Sequence, residues 1–588
     1  MIEVKGQMRR AIRPRALLRV SGKLNGPVFE PSITSHTRLQ KMPHRAPHQA
    51  RWRRLGVALT AVVAAACGRI SFDPIGARSS TDAGATVDET DAGQCGEQIC
   101  DTPPSSCHAA AGECVGQMCS YEPLDPGDSC DDGNVLTQDD LCDGACAGTP
   151  SGAWPMVFDN SFSNVSIAGL GVDASGGLYS AVRFEGSWNG AGFDANLSSS
   201  GISYTNQSWV DTALMKLGAE SAVPTWDYNF AGVSGRVEAY CFDVQADGTT
   251  YVAGHLRSRA DFGDLGAPDV GSTQHPLIFT HDAEGALSSA DFFEPGSQNA
   301  QIHGITVQPN YVAIAGVYGS NVDFGAGGIG ASNGDDGYIA VFDGALNVKW
   351  ARQAGGPGTI YGTGTHVTNA GVSWAVGQFG TSVDFGSGVQ ATNGGQDVWF
   401  GSYDATGGLR WGHTWGSTSN ETEAHLLGDD QGNTYVVGRF STGFAIGGSA
   451  PLTPEGGQDV YVAAFDDGGN LRWLTSYGGE ASDSIVNMGF LADGSLWIGG
   501  GFDGTLKAGS LEAVSAGATD GYVVELDTTA GAFTKLTQMA SASDLSVRAM
   551  AVDEARNAVW VGGVMNGAVE LGETTVSSGK AYIYPFPY

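Results

Sequence analysis

From residue 151 onward the chain repeats one short phrase at a nearly fixed interval, and that interval limits the possible folds more than any other feature. Tyr251-Val252-Ala253-Gly254 returns as Ala313-Ile314-Ala315-Gly316, Trp374-Ala375-Val376-Gly377, Tyr435-Val436-Val437-Gly438, Trp497-Ile498-Gly499-Gly500 and Val559-Trp560-Val561-Gly562. The closing glycines lie 62, 61, 61, 62 and 62 residues apart, and Tyr179-Ser180-Ala181-Val182 adds a seventh copy 72 residues before Gly254. Within each unit, four short runs rich in β-branched and aromatic residues are separated by Gly, Asp and Asn turns. In the third unit they are predicted over 302–307, 311–318, 337–343 and 347–353; in the fifth, over 424–428, 434–440, 460–466 and 470–477.

Four antiparallel strands in each such unit are the pattern of a β-propeller blade. A β-solenoid would need a shorter rung, and an immunoglobulin array a longer unit with its own core. The fold class expected for residues 151–588 is therefore all-β, a seven-bladed β-propeller. The seventh unit ends at 581–588, on its third strand. The missing fourth strand is found in Ala153-Trp154-Pro155-Met156-Val157, which aligns with the Trp-bearing fourth strands around Trp350, Trp411 and Trp473. Pairing of 154–160 with 581–588 would close the ring and leave no open sheet edge.

The phrase Gln431-Gly432-Asn433-Thr434-Tyr435-Val436-Val437-Gly438, with weaker forms in the other units, resembles the bacterial repeat families named for seven-bladed propellers and, more loosely, NHL-type blades. The units here are longer, mainly through Gly-rich loops such as the one from Val322-Asp323-Phe324-Gly325 to Gly334. The resemblance covers 151–588 and implies the fold. It implies little about function, since propellers serve as scaffolds, receptors and enzymes.

The segments before the repeat read as an address. Arg51-Trp52-Arg53-Arg54 precedes a short apolar stretch, 55–66, too short to span a bilayer as a stable helix. Ala64-Ala65-Ala66-Cys67 resembles a bacterial lipobox, which implies diacylation of Cys67; Ala64 stands where that motif prefers Leu, and ordinary cleavage after small residues is the alternative. Met42 would begin a signal peptide over 42–66, leaving 1–41 as a misassigned start. Residues 67–94 read as the lipid anchor and a flexible acidic tether rich in Ser, Thr, Asp, Ala and Gly. Eight cysteines then fall within 52 residues: Cys95, Cys100, Cys107, Cys114, Cys119, Cys130, Cys142 and Cys146. Behind a secretion signal such density reads as a small disulfide module over 95–148, of unspecified pairing. Only Cys142 and Cys146 approach a zinc knuckle. The run from Cys107 through Cys130-Asp-Asp-Gly-Asn134 to Cys142-Asp-Gly-Ala-Cys146 resembles the cysteine-rich modules of myxobacterial surface proteins and implies a cell-surface stalk.

Charge narrows the partners. The chain carries a formal −33, yet its first 66 residues hold 13 of the 30 Lys and Arg and two acids; residues 67–588 carry 17 basic against 61 acidic side chains, a net of −44. Such a body repels phosphate backbones and anionic lipid surfaces, which excludes nucleic acid as a partner and leaves the lipid anchor as the expected membrane contact.

Candidate chemistry is sparse. Asp211, Asp336, Asp397, Asp459 and Asp520 recur at the start of the third strand, with His275 and Lys580 breaking the series. They read as turn braces in preference to a cation-binding crown. Asp261, Asp323 and Asp384 occupy Asp-Phe-Gly phrases whose Phe262, Phe324 and Phe385 plug the long loops onto the blades. No His-Glu-x-x-His, EF-hand loop, P-loop or sialidase Asp-box is present. Cys241 is expected to be a buried, unreactive thiol on an innermost strand. Counting back 13 residues from each repeat glycine, or from Val182, gives Gly169, Cys241, His303, Gly364, His425, Asn487 and Ala549; two residues on lie Asp243 and His366. His303, His366 and His425 could hold a divalent metal with Asp243 as a further ligand, against the reading that each histidine packs between blades. No other cofactor is expected. The sequence thus favours a lipid-anchored protein of the outer membrane or cell surface that displays a propeller to a protein or polysaccharide ligand. An extracytoplasmic hydrolase or lyase and a purely structural spacer are the alternatives.

Overall fold

Alternating short β-formers and Gly/Asp turns favour tight antiparallel meanders, and that is what forms. The computed structural model describes residues 155–158, 164–185, 211–218, 224–230 and, but for a few loop positions, 236–587, together with short strand segments between 94 and 150. The first sheet runs Asn164–Val172, Leu178–Glu185, Asp211–Leu217 and Pro224–Phe230; the second, Arg236–Val244, Thr250–Arg259, Asp269–His281 and Leu287–Phe292. The third comprises Ala300–Gln308, Tyr311–Tyr318, Gly334–Asp343 and Val348–Ala354, and the fourth Gly358–Val367, Ser373–Phe379, Asp397–Tyr403 and Leu409–Trp415. Thr422–Gly428, Thr434–Phe440, Asp459–Phe465 and Leu471–Gly479 form the fifth; Ser484–Phe490, Leu496–Phe502, Asp520–Leu526 and Phe533–Met539 form the sixth. In the last sheet Asp544–Asp553, Ala558–Asn566 and Ala581–Pro587 are joined by Met156–Phe158, with Ala581 opposite Phe158 and Ile583 opposite Met156. The predicted runs of the third and fifth units agree with these strands to within three residues at every end.

Consecutive sheets pack face to face. Each interface is an apolar cluster: Phe324 and Phe342 stack beside Phe293, and Ile167 and Leu170 of the first sheet share a cluster with Ala549, Ala551 and Trp560 of the last. Sheets of four meandering strands stacked in this way make a β-propeller.

The outer rim carries a latch that the sequence reading did not identify. The turn between third and fourth strands needs a residue at positive φ, supplied by Gly285, Gly407, Gly469 and Gly531. The outer-strand Trp of the preceding sheet lies on each: Trp226 on Gly285, Trp350 on Gly407, Trp411 on Gly469 and Trp473 on Gly531, where any Cβ would strike the indole. Three of these indoles also donate Nε1–H to a carbonyl of that turn, Trp226 to Ala283 at 3.0 Å, Trp411 to Asp467 at 2.9 Å and Trp473 to Thr528 at 2.9 Å. The seam between the second and third sheets breaks the rule on both sides at once. Ser289 holds the ladder position of the Trp, and Leu346, at φ 59°, that of the glycine. With no indole above it, the turn has room for a side chain.

In the cysteine-rich segment the backbone pairs Cys114 with Cys119 and Cys142 with Cys146. The expected disulfides, the signal and Cys67, the tether and residues 1–41 lie outside the described residues, as do Asp261, Lys580 and the side chain of Asp211.

Candidate functional site

Each inner strand is interrupted at the same place. The ladder between first and second strands slips by a residue between Ile167/Gly169, Ala239/Cys241, Ile302/Gly304, Gly362/Gly364, Ile485/Asn487 and Val547/Ala549, and likewise by one residue between Thr422/His425. A β-bulge turns the extra residue out of the ladder and re-aims its side chain. Here Ala168, Tyr240, His303, Thr363, Val486 and Arg548 are turned toward one axial cavity of about 930 Å³ enclosed by the inner strands. The repeat glycine beside the bulge has a steric reason: a Cβ on Gly316 would strike the Gln301 carbonyl and the Tyr338 hydroxyl, which donates to that carbonyl at 2.9 Å. Trp399 and Tyr522 make the same bond to Tyr361 and Ser484.

The cavity opens where second strands end and inner strands begin, at Arg183, Ser484, Asp544 and Asn566. This is also the rim of the long loops between second and third strands. Behind Tyr240 and His303, which line the cavity, lies an organised polar network. Arg236 and Tyr240 bond opposite oxygens of Glu238 at 3.3 and 2.9 Å, and the Arg183 guanidinium lies 5.6 Å from the centre of the Tyr240 ring. A second chain runs from His303 Nε2 to Gln301 Oε1 (3.0 Å), from Gln301 Nε2 to Gln274 Oε1 (2.7 Å), and from Gln274 Nε2 to His255 Nε2 (2.9 Å). The last bond makes His255 Nε2 an acceptor, so its proton sits on Nδ1. Burial holds His255, His303 and His425 down at about 4, so all three are neutral at pH 7.

The expected metal site is not assembled. Among the described residues no three His, Cys, Asp or Glu side chains stand close enough to share an ion. The physical reason is register. The hairpin at Gln308–Tyr311 is one residue shorter than its counterparts, so counting from Gly316 lands on the bulged His303, whereas His425 lies one position past the bulge, with Cys241 and Asn487. His366 is buried against Trp374 and over Gly428. Asp243 is fully buried and accepts from Val244 N and, across to the third sheet, Val307 N, both at 2.7 Å. It ties two inner strands together.

Other expectations fare better. Asp323 accepts from Gly325 N and Gly327 N, and Asp384 from Gly386 N and Gly388 N, while Phe262, Phe324 and Phe385 are buried. Asp336, Asp397, Asp459 and Asp520 each accept a backbone N–H from the loop before them, as braces do. Two of them have a carboxylate neighbour. A Cβ on Gly416 would meet Asp397 Oδ1 and Glu421 Oε2 together, so those oxygens lie within about 5 Å, and Asp459 faces Asp483 at the next interface. Cys241 is buried, its thiol 3.7 Å from the Ala253 carbonyl it faces, and burial pushes its pKa up. Sequence reasoning missed Arg183, Tyr240 and Arg548; aligning the units one residue earlier would have brought Tyr240 and Arg548 into one column.

No protein-family model and no curated protein matches the chain. Solved structures similar to it include the quinohemoprotein alcohol dehydrogenase from Comamonas testosteroni, at 12% identity over 74% of this chain and 75% of that one, TM-score 0.32. The Pan2 WD40 domain of Neurospora crassa is similar at 9% identity over 72% and 89%, TM-score 0.32, and the Dos1 propeller at 11% over 74% and 95%, TM-score 0.33. The fold rests on the strand topology above, and no activity is carried over from these proteins.

Proposed function

We propose that the chain is a surface-displayed lipoprotein whose propeller binds a ligand at the axial cavity. The single observation that carries the binding reading is the set of bulges: sheet after sheet turns a different side chain toward one opening, which makes a heterogeneous recognition surface on a rigid frame. In this reading the propeller has seven blades and Met156–Phe158 is the outer strand that closes it. Three ladder pairs with Ala581–Pro587 and the shared apolar cluster of first and last sheets support closure. Display at the surface rests on the lipobox-like Cys67, the acidic tether and the cysteine-rich stalk. The enzyme alternative draws on the neutral imidazoles beside the cavity, but His303 is committed to Gln301 and to the Gly362 backbone, and no carboxylate among the described residues orients it as a base. A glycan and protein array probed with the full chain tests binding: reproducible capture at the array, blocked by soluble ligand, is expected, and silence on every array defeats the reading. Incorporation of labelled palmitate, lost in Cys67→Ser, tests the anchor.

A further inference from the structure

We propose that the axial cavity takes an acidic sugar, its carboxylate held by Arg183 and Arg548 and its hydroxyls by the polar wall around them. The inference rests on the binding reading and names the ligand class. Residues 67–588 hold 17 basic side chains among 61 acids, and two of the 17 line this one cavity, against the single lining carboxylate of Asp544. In so acidic a protein a free arginine should find a carboxylate. Neither guanidinium makes a hydrogen bond or ion pair among the described residues; Arg548 acts on the Glu423 carboxyl only through its charge, and Glu423 does not line the cavity. Arg183 is instead fixed by its stacking on Tyr240, whose hydroxyl is spent on Glu238. That leaves guanidinium donors, the groups best matched to a carboxylate, facing the space a ligand would fill.

The rest of the lining suits a hydroxyl-rich molecule. Ser166 and Asn566 offer a hydroxyl and an amide, while Ser484 and Asn487 are held by backbone partners, and a volume near 930 Å³ accommodates a ligand of one to three sugar rings. Because burial keeps His303 and His425 neutral above about pH 4, neither of them adds positive charge to the cavity at pH 7.

Calorimetric titration of the full chain with digalacturonate and with its neutral counterpart digalactose tests this. Digalacturonate should bind about tenfold or more tightly, with an affinity that stays the same from about pH 5.5 to 8. Arg183→Gln combined with Arg548→Gln should remove that preference and leave any digalactose binding as it was; circular dichroism and the melting temperature check that the variant is folded. Equal affinity for the two sugars overturns the proposal, as does a folded double variant that binds digalacturonate like the parent. So does an affinity that falls away between pH 5.5 and 8, since that would place the charge on histidine. Capture of neutral glycans or proteins on the arrays alongside any of these results leaves the binding reading intact and removes the acidic-sugar assignment alone.

Discussion

At the scale of single residues, the latch makes two glycine predictions. Gly469→Ala puts a Cβ at φ 82° and into the Trp411 indole. Strain and clash together should cost about 2 kcal/mol or more, read as a lower midpoint in urea unfolding. Leu346→Gly relieves a left-handed leucine and has no indole to accommodate, but it gives up the packing of Leu346 on the apolar cluster beneath; the two offset, and a change within about 1 kcal/mol is expected in the same measurement. A third prediction concerns pH. Burial, aided by Asp397 and opposed by the Ser417 hydrogen bonds, pushes the Glu421 carboxyl up to about 7. The folded chain therefore holds a proton there that the unfolded chain releases above about 4.5, so this contribution to stability is full below about 4.5 and is lost as pH rises through about 7. Glu421→Gln keeps a neutral group, and its amide can donate toward Asp397. The variant should melt with the parent at pH 5 and above it at pH 8; identical melting at both pH values would remove the shifted carboxyl from the account. Glu421 drew no attention in the sequence because its neighbour Asp397 lies a strand away, across a loop and a hairpin. The Asp-Phe-Gly braces were readable because an Asp bonding amides two and four residues on is a local event.

Elements were legible where their signal was periodic. Strand runs and turn glycines follow from alternation and from the 61-residue interval, so the third and fifth units were placed nearly to the residue. The bulge was not legible, because it changes the partner of a residue and leaves its neighbours in sequence untouched. One missing residue in the Gln308–Tyr311 hairpin then moved His303 into a different slot from His425, and a metal site inferred from even counting dissolved. The same logic gives a prediction: deleting Thr363 removes the bulge of the fourth inner strand, lets Gly362 and Gly364 follow one another opposite Gly377 and Val376, and leaves Ile360 opposite Phe379 on its own face. What is lost is the hydrogen bond from the Thr363 hydroxyl to the Ala424 carbonyl of the fifth inner strand. A loss of about 1 kcal/mol, with cooperative melting kept, is expected in thermal unfolding followed by circular dichroism.

For the whole molecule, the repeat made the architecture readable while the ligand stayed hidden, since cavity-facing side chains differ from unit to unit and carry no periodic signal. The terminal pairing is testable at this scale. Val157 is buried opposite Tyr582 in the last sheet. Val157→Asp places a charge between those strands and should lower the melting temperature, with a loss of about 2 to 4 kcal/mol; an unchanged melt would show that Met156–Phe158 contributes nothing to holding the last sheet. The uneven latches have a consequence for how the protein breathes. Indoles clasp the first sheet to the second and run unbroken from the third sheet to the sixth. Ser289 leaves the second sheet unclasped, and Lys535 stands in the Trp position of the sixth. Among the described residues the clasp is thus missing at two seams, which are the softer ones. Sub-global opening should begin there, and native-state amide hydrogen exchange should find Leu287–Phe292 and Phe533–Met539 exchanging ahead of Leu409–Trp415 and Leu471–Gly479, outer strands of the same length class whose protection is set by a tryptophan on the neighbouring turn.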